Sequence, residues 1–149
     1  MATQWTAGTV SGQVLTAATL NTIGAVWESY TPTVKAGATT LTGTVNTARY
    51  CQIQKTVIVQ IFLTVTGAGT ASQIVAVGLP FTAKNTSAFI GSGFVYDASA
   101  NFMYNILPTA DAGPTFTMFY QTGNNFGASP AVTLANTDQL RFQLAYEIA

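Results

Sequence analysis

Apolar side chains alternate with polar or small ones near the end of the chain, from Gln139 to Ile148. A period of two is typical of a β-strand that buries one face and exposes the other to water. The same period runs through residues 56–66, where the second face is also partly apolar. We therefore expect 56–66 to be a central strand or part of a subunit interface.

Similar but shorter patterns recur along the rest of the chain, separated by turn-forming residues such as Gly67-Ala68-Gly69 and Gly123-Asn124-Asn125. Short strands at this spacing are typical of all-β domains. The sequence therefore predicts an all-β fold, either jelly-roll-like or an antiparallel β-sandwich, of about seven or eight strands. The further strands are predicted at 41–46, 48–53, 73–79, 88–96, 102–107 and 115–121.

The beginning of the chain has a different pattern. Within residues 16–30, four large apolar side chains follow a 3-4-3 spacing, which places them on one stripe of an amphipathic helix. Pro32 prevents this helix from continuing. We therefore predict an N-terminal docking arm with a short helix over residues 1–31 and a β-sandwich domain over 32–149. The predicted docking residues are Trp5, Leu20, Ile23, Trp27 and Tyr30.

Charged residues make up only 7% of the chain, the net charge is zero, and there is no histidine. The Lys and Arg residues are scattered along the sequence, which argues against nucleic-acid binding. The sequence has no run of about 20 apolar residues, the length that a membrane helix needs. A single cysteine, Cys51, excludes an intrachain disulfide and a cysteine-cluster zinc site. We therefore expect no cofactor and no metal. So weakly charged a surface favours association with other copies or other proteins.

The sequence offers little for catalysis. Gly91-Ser92-Gly93 lacks the outer glycines of a nucleophile elbow, and without histidine the usual activation of serine is missing. A strand glycine that avoids a neighbouring strand is the better interpretation. The few carboxylates are far apart in sequence, and several lie in predicted turns. We expect a protein that is not an enzyme.

Aromatic residues crowd the second half of the chain. The favoured interpretation is packing in the core and between subunits. The alternative is a sugar-stacking surface, for which Phe119 and Phe126 are the best candidates for exposure. Phe119 is out of phase with Phe116, Met118 and Tyr120, and Phe126 lies in a loop of asparagine and glycine.

Several short segments resemble a known group of proteins. They are Trp5-Thr6-Ala7-Gly8, Leu15-Thr16-Ala17-Ala18 with Leu20-Asn21-Thr22, Trp27 with Tyr30-Thr31-Pro32-Thr33, the phrase from Ala48 to Val57, and Leu79-Pro80-Phe81. Together they are similar to small structural proteins of tailed bacteriophages that infect actinobacteria. The group includes minor tail, fibre-like and head surface proteins. Gln54 departs from the pattern of this group, in which the same hairpin position is usually glycine. The turn type and the local strand register are therefore left open.

The resemblance implies a structural protein of the bacteriophage virion, made in the bacterial cytoplasm and placed on the particle surface. We expect a homo-oligomer, a trimer, that acts as a capsid decoration protein and docks on major capsid or tail proteins through the arm. The alternative is a minor tail or tail-fibre protein that binds a host surface glycan.

Overall fold

The computed structural model describes residues 26–84, 89–110, 115–121 and 123–149. This part of the chain is all-β and contains no helix, so the all-β prediction is confirmed, although it has eleven strands where about seven or eight were predicted. Its eleven strands are β1 (Glu28–Ser29), β2 (Val34–Ala36), β3 (Thr39–Leu41), β4 (Gly43–Ile53), β5 (Thr56–Val65), β6 (Val75–Gly78), β7 (Ile90–Asp97), β8 (Phe102–Ala110), β9 (Phe116–Gln121), β10 (Asn124–Asn125) and β11 (Gln139–Glu147).

The strands form one antiparallel sheet in the order β1-β4-β5-β11-β7-β8-β9-β6-β2-β3, with β10 paired to β9. Strand β8 joins the two halves of this sheet. Its residues Phe102–Ile106 pair with β7, and its residues Leu107–Ala110 pair with β9. The sheet curls into a half-barrel, while the jelly-roll or sandwich form stays a prediction. Strand β5 lies between β4 and β11, as its two-sided apolar pattern predicts.

The core lies on the concave side of the curled sheet. Phe119 of β9 and Phe142 of β11 meet there with ring centroids 4.9 Å apart, although two strands separate them in the sheet. The inward side chains of β5, Val57, Val59 and Ile61 among them, are almost fully buried. Burying a side chain of this kind contributes about 1.5–3 kcal/mol to the free energy of folding. Apolar burial therefore stabilises the curl that brings distant strands together.

The prediction that Phe119 is exposed is wrong, because the phase of β9 is the reverse of the expected one. Phe119 has no solvent-accessible surface, and its neighbour Thr117 also points inward. Thr117 can do so because its Oγ1 donates a hydrogen bond to the Thr109 carbonyl, 2.8 Å away. The more apolar set on β9, which includes Met118 and Tyr120, therefore faces outward.

The prediction that Phe126 is exposed in its loop is also wrong. The preceding residues fold back on β9 as strand β10, and the Phe126 amide donates to the Phe119 carbonyl at 2.7 Å. This hairpin directs the Phe126 ring into the core, where it lies 5.5 Å from the Tyr104 ring. Both phenylalanines thus follow the favoured interpretation, packing in the core.

The predicted helix does not reach Tyr30. Residues 26–30 contain no helical turn, and Glu28 and Ser29 pair with Tyr50 and Arg49 of β4. The Tyr30 amide donates to the Ala48 carbonyl at 3.1 Å, which continues this pairing. Pairing with an existing strand supplies backbone partners that a short, weak helix would have to form alone. The rest of the predicted helix and arm lies outside the described residues.

The hairpin between β4 and β5 turns through two residues, Gln54 and Lys55, with the register of the strands regular beside it. Gln54 has a φ of 54°, a left-handed conformation that costs a residue with a side chain roughly 1 kcal/mol. We expect Gln54→Gly to raise the free energy of unfolding by about 0.5–1 kcal/mol in urea denaturation, because glycine enters this region freely. Lys55→Gly, at a position outside this region, should be destabilising. A loss of stability in Gln54→Gly would contradict the argument.

Candidate functional site

The outer face of the sheet carries a polar and aromatic depression across four strands. Pairing places Phe62, Arg141 and Phe94 side by side on β5, β11 and β7. One row away, the strand register aligns four polar side chains across β4, β5, β11 and β7: Arg49, Gln60, Gln143 and Ser92. These two rows line an open depression of about 450 Å³, which we call the arginine groove.

Arg141 is held between two aromatic rings of the arginine groove. Its guanidinium carbon lies 3.9 Å from the centre of the Phe62 ring and 5.6 Å from that of Phe94. Its Nη2 donates to Gln139 Oε1 at 2.7 Å, whereas its Nε is buried and has no partner. Attraction between a cation and ring faces holds the charge in place without neutralising it. The guanidinium is thus fixed in position with donors still unused.

Arg49 lies at the other side of the arginine groove. Its Nε and Nη2 both donate to Gln60 Oε1, at 3.0 Å and 2.8 Å. Its guanidinium carbon also lies 4.6 Å from the centre of the Trp27 ring, which is 38% exposed. Because the partners of Arg49 are a neutral amide and an aromatic ring, its charge is not neutralised either.

No carboxylate of the described residues pairs with these two arginines. Each of the four such carboxylates has a partner elsewhere: Glu28 with the Tyr50 hydroxyl at 2.6 Å, Asp97 with the Ser99 hydroxyl at 2.7 Å, Asp138 with the Ala135 amide at 2.7 Å, and Glu147 with Lys84 at 2.9 Å. The arginine groove therefore carries local positive charge on a chain whose net charge is zero.

The two buried aspartates accept hydrogen bonds that hold loops in place. Asp97 accepts hydrogen bonds from the Ser99 hydroxyl and from the Ala100 amide, and these bonds lower the pKa of its carboxyl below the usual range. Asp138 accepts only from backbone amides among the described residues. Both carboxylates are therefore used as acceptors for loop backbone, a structural role.

A second surface feature lies on the outer face of β8 and β9. Three large apolar side chains are exposed there, Met103 by 53%, Leu107 by 60% and Tyr120 by 38%. Leu107 and Tyr120 lie directly opposite each other in the strand register. We call these three residues the β8–β9 strip. A cluster of exposed large apolar side chains indicates a surface for contact with another protein.

The predicted docking residues fall into three groups. Trp27 is exposed beside Arg49. Tyr30 is instead packed into the chain's own fold: its ring lies 6.0 Å from that of Tyr50, and its hydroxyl lies 3.4 Å from the Gly78 carbonyl. Part of its side chain is therefore used within the fold, and docking through this half-buried residue stays a prediction. The other three, Trp5, Leu20 and Ile23, lie outside the described residues.

The interpretation of Gly91 and Gly93 as strand glycines is confirmed. A Cβ at either position would overlap the backbone of β11, so only glycine allows β7 to approach that strand closely. The arginine groove itself was not predicted. The one part of it that the sequence indicated is the partly apolar second face of the strand predicted at 56–66, on which Gln60 and Phe62 lie. Nothing in the sequence placed Arg141 beside these two residues.

Within residues 26–84, 89–110, 115–121 and 123–149, no cluster of three or more metal-ligating side chains occurs. The same part of the chain has no helix with the length and apolar character needed to cross a membrane. Comparisons with known protein families, with curated proteins and with solved structures find no match to this chain. The function is therefore argued from the surface and from the sequence.

Proposed function

We propose that this protein is a structural protein on the surface of a bacteriophage particle. In this proposal it is a homotrimeric capsid decoration protein that docks by its N-terminal arm and stabilises the shell. The sequence resemblance described above supports the virion role. A decoration protein that binds only the assembled shell stabilises it by mass action.

The observation that carries the proposal is the β8–β9 strip. Exposed apolar side chains are costly in water, and burying them against another copy gains about 25 cal/mol for each Å² removed from water. Charged residues are only 7% of the chain, so ion pairs contribute little to the cohesion of such an assembly. Contact between apolar strand faces is therefore the means by which copies associate.

The exposed indole of Trp27 supports the docking part of the proposal. It lies just before β1, at the point where the chain enters the sheet. Tryptophan buries a large area at interfaces, and a partner such as a major capsid or tail protein would cover this ring. Its contact with Arg49 holds the ring on the outer face of the sheet.

We expect the purified chain to have the mass of a trimer in light scattering and Leu107→Glu to have the mass of a monomer. A carboxylate at position 107, opposite Tyr120 in the β8–β9 strip, would have to be buried without a partner, which costs several kcal/mol. The matched control is Ile90→Glu, since Ile90 is 78% exposed on β7, outside this strip. Circular dichroism would verify that both variants fold. A Leu107→Glu trimer, or a monomeric wild-type chain, would refute the proposal.

A second candidate role is a minor tail or tail-fibre protein that binds a host surface glycan. The arginine groove favours it, because an open depression with aromatic rings and amide side chains suits a sugar. The buried Phe119 and Phe126 do not contribute to such a surface. The copy number of the chain in purified particles separates the two roles, since decoration requires many copies and a tail tip only a few.

A further inference from the structure

We infer that the arginine groove is a binding site for a carboxylate-bearing sugar unit. This ligand class deepens the second candidate role, and it rests on that role only for the source of the sugar. The site itself is argued from the geometry of its side chains, and it can be tested on purified protein regardless of where the chain lies in a particle.

The charge of the groove selects an anion. Arg49 and Arg141 both line the groove, and among the described residues neither has a carboxylate partner. A guanidinium group has five N–H donors, so each arginine keeps donors for an anion beyond those used by Gln60 and Gln139. Arg141 is also held against Phe62, so little side-chain entropy is lost when a ligand binds to it. An anionic group is therefore the natural partner of this face.

The neutral polar side chains of the groove select hydroxyl groups. Gln60, Gln143 and Ser92 stand in one row beside Arg49. Gln143 and Ser92 are exposed, and their side chains have no hydrogen-bond partner among the described residues. Amides and hydroxyls both donate and accept, as a ring with several hydroxyl groups requires. A simple inorganic anion would leave this row unused.

The shape of the groove fits a ring of this kind. Phe62 on β5 and Phe94 on β7 form apolar walls on either side of β11, and the depression measures about 450 Å³. This volume lies in the range of sites for small ligands. Apolar walls, a polar row and two cations together match a sugar ring that carries a carboxylate.

The test measures binding of a tetramer of galacturonate to the full chain by calorimetry, with its methyl ester as the matched neutral ligand. We expect the acid to bind and the ester to bind at least tenfold more weakly, because the ester removes the charge that the arginines contact. Arg141→Gln and Arg49→Gln should each weaken binding of the acid by about tenfold or more. Added salt should weaken it further.

Lys84→Gln is the control for non-specific attraction, because Lys84 is a cation paired with Glu147 away from the groove. Its affinity for the acid should equal that of the wild type. Thermal unfolding of Arg49→Gln, at an exposed position, verifies that weaker binding is not a loss of folding. The inference is overturned if the acid does not bind at millimolar concentration, if the ester binds equally well, or if Lys84→Gln weakens binding as much as Arg141→Gln. Leu107→Glu should bind the acid normally, so failure of the trimer proposal and of this one are distinguishable.

Discussion

Replacing Asp138 with alanine should lower the free energy of unfolding by about 3–5 kcal/mol. Asp138 is only 1% exposed, and its two carboxylate oxygens accept from different loops. Oδ1 accepts from the Ala98 amide at 2.9 Å, in the connection between β7 and β8. Oδ2 accepts from the Ala135 amide at 2.7 Å, just before β11. Alanine would leave two backbone donors without partners and would free both loops.

Urea denaturation measures this effect, and two further variants calibrate it. Asp138→Asn keeps the shape but replaces one acceptor by a donor, so we expect an intermediate loss of stability. Asn136→Ala, at an exposed position in the same turn, should change stability by less than about 0.5 kcal/mol. If Asp138→Ala were no more destabilising than Asn136→Ala, the two loops would not depend on this carboxylate.

Gly93→Ala is expected to be the second strongly destabilising change, with a loss of about 3 kcal/mol in the free energy of unfolding. A Cβ at Gly93 would overlap the Arg141 carbonyl and the Phe142 side chain of β11. These atoms belong to β11, which is paired on both sides and cannot shift easily. The overlap can therefore be relieved only by separating β7 from β11. The arginine groove spans these two strands, so binding at the groove should weaken as well.

The matched control is Gly78→Ala on β6. There an added Cβ would lie 3.4 Å or more from its neighbours, Thr33 and Phe116, which is an ordinary packing distance. We expect a change of no more than about 1 kcal/mol, measured in the same urea experiment. Equal losses in the two variants would show that general loss of glycine, rather than close strand approach, determines stability here.

Much of the sheet could be predicted from local pattern. Strands β5 and β11 each show a clear period of two, and both are interior strands of the sheet, paired on both sides. The turn of Gln54 and Lys55 was also predicted from sequence, although its left-handed residue is not a glycine. These elements could be predicted because each depends on contacts between residues close in sequence or on simple alternation.

Other elements could not be predicted because distant residues decide them. The phase of β9 depends on whether Phe119 or Tyr120 faces the core. Phe119 does so, and its ring packs there against the ring of Phe142 on β11. The absence of helix at Ser29 depends on β4, because Ser29 pairs with this strand instead. Local preference was weak at both points, so tertiary contacts determined the outcome.

The sequence by itself determined that this chain is built of β-strands, that it carries few charges, and that histidine chemistry is not open to it. Only the tertiary structure decided which aromatic rings are buried and which face solvent. It also decided that Arg141 lies between Phe62 and Phe94, since these three residues are far apart in the chain and adjacent in the sheet. The physical reason is that alternation specifies two faces for each strand, whereas strand order and curl determine which strands share a face and which face is covered.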